Sequence, residues 1–378
     1  MEPRSDTVVI TAECLCKEHT FNTEVSTSQL PLEGTICHCN SCRHSTGALH
    51  VTETKWPQQR ENVDLSGLRS YQFSASITNW FCGTCSALLF YESVKHPSEL
   101  GVFTGSLKNV DVDLVKFTKQ IHVEDTGDGG SSFWFRKPNA DGQEIPRYRK
   151  SSGEPPCGWS EASSLTGLEE KQRLESIPIW CHCRGIELLL HRGNYAGKER
   201  YELPWFIDPR TNKPLASFDV CDSCRMQFGT DIVHWTFAEL ANISQRDGGA
   251  FPKAMAELKA AVDAGDSAVG TLAYYQSSPD VQRYFCKVCS TSVFYACEGR
   301  PEIVDVAIGL LEAPDGARAE GYLSWSFGDT PSWVDDTRGG WREGLVKRVL
   351  ADAEEFRIAR DYPKSWRRLE KEANSGLS

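Results

Sequence analysis

A cysteine array that occurs twice constrains this chain more than any other feature. Cys14 and Cys16, then Cys37, Cys39 and Cys42, then Cys82 and Cys85 are followed by Cys181 and Cys183, then Cys221 and Cys224, then Cys286 and Cys289. Thirteen of the fifteen cysteines are thereby placed, leaving Cys157 and Cys297. The match runs beyond cysteine. Residues 71–82 read YQFSASITNWFC and residues 275–286 read YQSSPDVQRYFC, while Cys42-Arg43-x-x-x-Gly47 is echoed by Cys224-Arg225-x-x-x-Gly229. Two long copies indicate a duplication, since a solenoid stacks a short unit many times. With 378 residues, 40% of them hydrophobic, the chain is long enough for two domains with a core each.

The copies divide the chain into a first domain over residues 5–135, a linker over 136–176, a second, divergent domain over 177–335 and a helical tail over 336–378. The linker is marked by PNADGQEIP and SSGEPPCGW, which have loop composition. Short stretches of alternating polarity between Gly, Pro, Asn and Asp turns predict strands, among them residues 7–12, 87–91 and 303–308. Helical spacing of apolar residues predicts helices over 253–264 and about 342–360, so each unit is mainly β with short helical insertions.

A net charge of −11 and a pI near 5.4 create a field that repels phosphate backbones and anionic membrane surfaces, so no nucleic acid and no membrane is expected as a partner. No apolar run reaches bilayer-spanning length, and the opening MEPRSD lacks the apolar core of a signal peptide, so a cytoplasmic protein is expected. In a reducing compartment fifteen cysteines favour metal ligation over disulfides.

Zinc takes four ligands, and a Cys-x-Cys or Cys-x-x-Cys knuckle offers two thiolates from one short loop. The natural pairings are Cys14 and Cys16 with Cys82 and Cys85, and Cys181 and Cys183 with Cys286 and Cys289, as two closed structural sites. Cys37, Cys39 and Cys42 supply three thiolates, which leaves open the fourth position that a catalytic zinc needs; a fourth ligand such as His38 or His44 would instead make the site structural. Aligning Cys221 and Cys224 with Cys39 and Cys42 puts Asp219 where Cys37 would be. A carboxylate there gives either a more Lewis-acidic centre or a decayed one. The expectation is Zn²⁺ at three to four per chain.

The string HCNSCRHSTG after Cys37, between a Cys-x-Cys and a Cys-x-x-Cys, resembles the glutathione-dependent formaldehyde-activating enzyme family, which includes centromere protein V. The resemblance covers the first copy in full and six of the seven cysteines in the second, and the tandem form looks like fungal members. It implies two Mss4-like zinc-binding β domains. It also implies structural zinc at Cys14, Cys16, Cys82 and Cys85, and reactive zinc at Cys37, Cys39 and Cys42.

The implied activity is a carbon–sulfur lyase of the S-(hydroxymethyl)glutathione synthase type, acting on glutathione plus formaldehyde or a larger electrophile, with glutathione or its adduct as the small-molecule partner. Insertions over 193–220 and 237–270 suggest a pocket remodelled for another substrate, in detoxification or specialised metabolism. Arg43 and His44, beside the last ligand, are candidates for a carboxylate anchor and a proton carrier. His122 is a further candidate, because a late histidine-bearing strand is common in such domains. The alternative is a non-catalytic zinc scaffold for protein interaction.

Overall fold

The computed structural model describes residues 6–151, 153–158 and 174–375. The first half contributes β1 (Thr7–Glu13), β2 (Thr20–Ser26), β3 (Leu32–Cys37), α1 (Asn40–Thr46), β4 (Val51–Lys55), β5 (Arg69–Ser74), β6 (Ile77–Phe81), β7 (Leu88–Ser93), β8 (Gly101–Phe103) and β9 (Val115–Ile121). The second contributes β10 (Ser176–Trp180), β11 (Glu187–His191), β12 (Leu215–Asp219), α2 (Asp222–Phe228), β13 (Val233–Glu239), β14 (Ile243–Gln245), α3 (Met255–Ala264), β15 (Leu272–Ser278), β16 (Val281–Cys286), β17 (Ser292–Cys297), β18 (Ile303–Ala307) and β19 (Ser324–Trp325). Two helices follow, α4 (Trp341–Ala359) and α5 (Trp366–Ser375). The strands and helices expected from local pattern are thus present, as β1, β7, β18, α3 and α4.

The duplication is visible strand by strand. One seven-stranded sheet has the order β5-β6-β7-β8-β4-β3-β9 and the other β15-β16-β17-β18-β13-β12-β19. In each, only the last pair is parallel. The registers set up equivalences: Cys37 pairs with Val51 as Asp219 pairs with Val233, and Asn79 sits between Tyr71 and Tyr91 as Arg283 sits between Tyr275 and Tyr295.

The two halves share one core, which runs without a break from Ile10 to Phe356. The seam explains the repeated Cys-Arg-x-x-x-Gly. Each short helix ends on a glycine in the left-handed region, Gly47 at φ 88° and Gly229 at φ 74°, where a side chain would be strained. Each glycine's carbonyl then accepts a hydrogen bond across the seam, Gly47 from the Gly309 amide at 2.8 Å and Gly229 from the Gly105 amide at 3.1 Å. A Cβ on Gly47 would lie 2.4 Å from the Ser292 carbonyl oxygen.

The tail is built into the molecule. Arg342, at the start of α4, donates to Asp231 at 2.8 Å and to the Thr104 carbonyl at 2.5 Å, with both side chains buried. Arg360, at its end, pairs with Glu320, which also holds Arg318, and Arg318 reaches the carbonyls of Asp128 and Gly130 in the first half. The described part of the expected linker packs on the first half: Ile145 is buried, and the Tyr148 amide donates to Gln120. The remainder of that linker, 152 and 159–173, lies outside the described residues. Among the described residues no helix is long and apolar enough to cross a membrane.

Candidate metal centres and cavity

Two four-cysteine clusters form as the knuckles close on one another. Cys16 Sγ lies 3.5 Å from the sulfurs of Cys14 and Cys82, and Cys183 Sγ lies 3.5 Å from those of Cys181 and Cys286; Cys85 and Cys289 complete the sets. These separations are far beyond a disulfide bond and near the ~3.8 Å edge of a tetrahedron with Zn–S distances of about 2.3 Å. All fifteen cysteines are free thiols.

Two three-residue clusters stand at equivalent places. Cys37 ends β3, Cys39 caps α1 by accepting the Cys42 amide at 3.2 Å, and Cys42 Sγ is 3.6 Å from Cys37 Sγ. In the second half Asp219 ends β12, Cys221 caps α2 by accepting the Cys224 amide at 3.2 Å, and the three side chains gather as a second trio. Thiols this close cannot all ionise without a cation: hydrogen bonds from Cys37 and Cys42 pull Cys39 down to about 3, while Cys37 and Cys42 are driven well above the ordinary thiol value. In the second trio the Cys221 hydrogen bond pulls Cys224 down to about 6, and burial drives Asp219 well up. Both donor sets therefore fit a divalent cation that accepts thiolate.

Arg43 and His44 lie elsewhere than expected. Arg43 is buried in the seam and donates to the carbonyls of Gly309 and Leu311 at 2.9 and 2.6 Å, and Arg225 mirrors it on Gly105 and Leu107 at 2.5 and 2.9 Å. His44 stacks on Trp180 with ring centroids 3.2 Å apart, and Glu312 lies 3.1 Å from its Nε2; burial still pushes it down to about 4. These contacts make both side chains part of the seam that joins the halves. His122 follows the β9 strand that pairs with Cys37.

A cavity opens on the second trio. It has a volume of about 530 Å³ and its lining includes Asp219, Cys221, Cys224, Arg283, Tyr295 and Asp305, but none of Cys37, Cys39 and Cys42. The two halves differ at one position beside a tyrosine that both keep. In the first half Tyr91 is paired with Gly101, lies so close that a Cβ on that glycine would sit 2.1 Å from its ring, and donates to Glu53 at 2.5 Å. In the second half Tyr295 is paired with Asp305. Asp305 instead pairs with Arg300, and Tyr295 packs under the guanidinium groups of Arg283 and Arg300.

A further piece of the duplication was missed in the sequence. Residues 122–126 read HVEDT and 333–337 read WVDDT. His122 and Trp333 have the same left-handed backbone, at φ 58° and 61°, and each precedes a one-turn helix. Asp125 and Asp336 accept the first amide of α1 and of α2, at 3.3 and 3.0 Å. Trp333 thus stands in the second half where His122 stands in the first, on the cavity rim.

No curated protein and no solved structure matches this chain significantly. Glutathione-related thiol chemistry and metal-holding cysteine clusters are what the family match supports, and that match is confined to the first half. Residues 9–125 match the model of the glutathione-dependent formaldehyde-activating enzyme family.

Proposed function

We propose that this protein is a zinc-dependent enzyme of the carbon–sulfur lyase type, handling an adduct between a thiol such as glutathione and an aldehyde, with its reacting site at Asp219, Cys221 and Cys224. The observation that carries this reading is the cavity opening on that trio. It favours an enzyme over a non-catalytic scaffold, which has no need of a cleft beside a three-ligand centre. Zinc held by the trio supplies Lewis acidity that lets a thiol react as thiolate near neutral pH.

In the addition the thiol sulfur bonds to the carbonyl carbon, the C=O π pair moves to oxygen, and the thiol proton ends on that oxygen. The chain's own part is to confine the reactants. Asp219 is held by accepting the Cys221 amide at 2.9 Å, which sets its carboxylate beside the two sulfurs at the cavity. Confinement of this kind raises the effective concentration of the reacting groups.

The test is thiol consumption with glutathione and a panel of aldehydes, from formaldehyde to aromatic ones, by Cys224→Ser and Cys39→Ser. We expect Cys224→Ser to lose at least about 100-fold in turnover, with Cys39→Ser retaining most of it. The reverse pattern moves the reacting site to the first half.

A further inference from the structure

The two halves carry the same scaffold, so differences at equivalent positions around the trios show what each site was fitted to. Around the second trio the changes run one way. Glu53 is replaced by Trp235, Lys55 by Phe237 and His122 by Trp333, while the insertion between β11 and β12 adds Trp205. All four aromatic residues line the cavity. Trp205 and Phe237 meet edge to face at 4.6 Å, and Trp333 is 69% exposed at the rim, which is unusual for so large an apolar ring and leaves its face free.

One change brings a cation. Arg283 occupies the position of Asn79 and is only 5% exposed. Its Nε donates to Ser277 at 3.0 Å and its Nη1 to Cys224, and among the described residues no carboxylate lies within ion-pair distance of it. A buried guanidinium is normally matched by a carboxylate, which it binds through two parallel N–H bonds. Arg300 already has one in Asp305 and Lys371 one in Asp329, while the half-buried Arg367 lies over Trp205, so the buried cation of the cavity that faces only the Cys221 and Cys224 sulfurs is Arg283.

We infer that the cavity of the second half takes a planar aromatic carboxylate, its ring against Trp205, Trp235, Phe237 and Trp333 and its carboxylate on Arg283. This rests on the reading that the reacting site lies in that half, and makes the electrophile an aromatic acid rather than formaldehyde. A volume of about 530 Å³ suits a bicyclic or tricyclic molecule, where a one-carbon aldehyde would leave most of the space to water.

The test uses the zinc-loaded protein and two probes of one shape, 2-naphthoate and 2-naphthalenemethanol, followed by tryptophan fluorescence and calorimetry. Arg283→Asn, which installs the first half's residue, is expected to weaken naphthoate about 100-fold and the alcohol less than about 3-fold, with zinc per chain unchanged. Trp333→His is expected to weaken both probes about 10-fold. Equal weakening of the two probes by Arg283→Asn, or no saturable naphthoate binding by the parent protein, overturns the inference. Loss of zinc in Arg283→Asn also overturns it, since Arg283 then serves the trio. Binding is read without turnover, so an inactive panel with intact naphthoate binding refutes the proposed reaction and leaves this site standing.

Discussion

Arg225→Ala tests the seam most sharply. In the folded protein one guanidinium nitrogen serves the carbonyls of Gly105 and Leu107, and Nε is held by Asp222 at 2.7 Å. Truncation leaves two buried carbonyls without a donor, with no room for bulk water to replace it. Hydrogen bonds to charged groups contribute about 1.5–3 kcal/mol each, and the two share one donor atom, so the expected loss is about 3–4 kcal/mol. Arg43→Ala strips Gly309 and Leu311 in the same way and is expected to cost a similar amount. The assay is urea unfolding of the zinc-loaded protein at pH 8, followed by circular dichroism. A loss below about 1 kcal/mol refutes the structural role. Unchanged stability with lost turnover in Arg43→Ala would return that residue to substrate binding.

Three further outcomes follow from other contacts. Glu320→Ala leaves Arg360 buried without a carboxylate and Arg318 with Asp128 alone, at 3.6 Å, and is expected to cost about 3–5 kcal/mol, read by the same unfolding curves. Gly101→Ala forces a Cβ into the Tyr91 ring and is expected to cost about 1–3 kcal/mol, read as a lowered urea midpoint. His234 sits among Trp134, Phe218 and Trp325 with neither ring nitrogen bonded, and burial pushes it down to about 3. The unfolded chain takes up that proton below about pH 6.5 while the folded chain does not. The contribution is therefore complete above pH 6.5 and lost as pH falls towards 3, by about 2 kcal/mol between pH 7 and pH 5. His234→Phe is expected to flatten the pH dependence of stability by that amount, and an unchanged slope contradicts the assignment.

Much of the architecture was legible because ligand spacing is rigid. A two-cysteine knuckle can close on another knuckle whatever the chain does between them, so both four-cysteine clusters could be paired on sequence, and Asp219 could be aligned with Cys37. The repeated Cys-Arg-x-x-x-Gly was visible as a motif but was assigned to chemistry, because nothing local shows that Arg43 faces the other copy. The HVEDT and WVDDT match escaped notice because its distance from the last knuckle differs, 37 residues after Cys85 and 44 after Cys289. The cavity was beyond reach for a different reason. Its lining gathers residues from separate strands and the tail, among them Asp305 where the first half has Gly101 beside a tyrosine that both halves keep, a relation across strands that sequence order hides.

Zinc per chain tests the central claim most directly, compared by elemental analysis between the parent protein and Cys224→Ser, both purified without added metal. Four in the parent and three in the variant is the predicted result, with the cavity-side trio as a loaded centre. Three in both would mean that Asp219, Cys221 and Cys224 hold no zinc, and would contradict a reacting site in the second half.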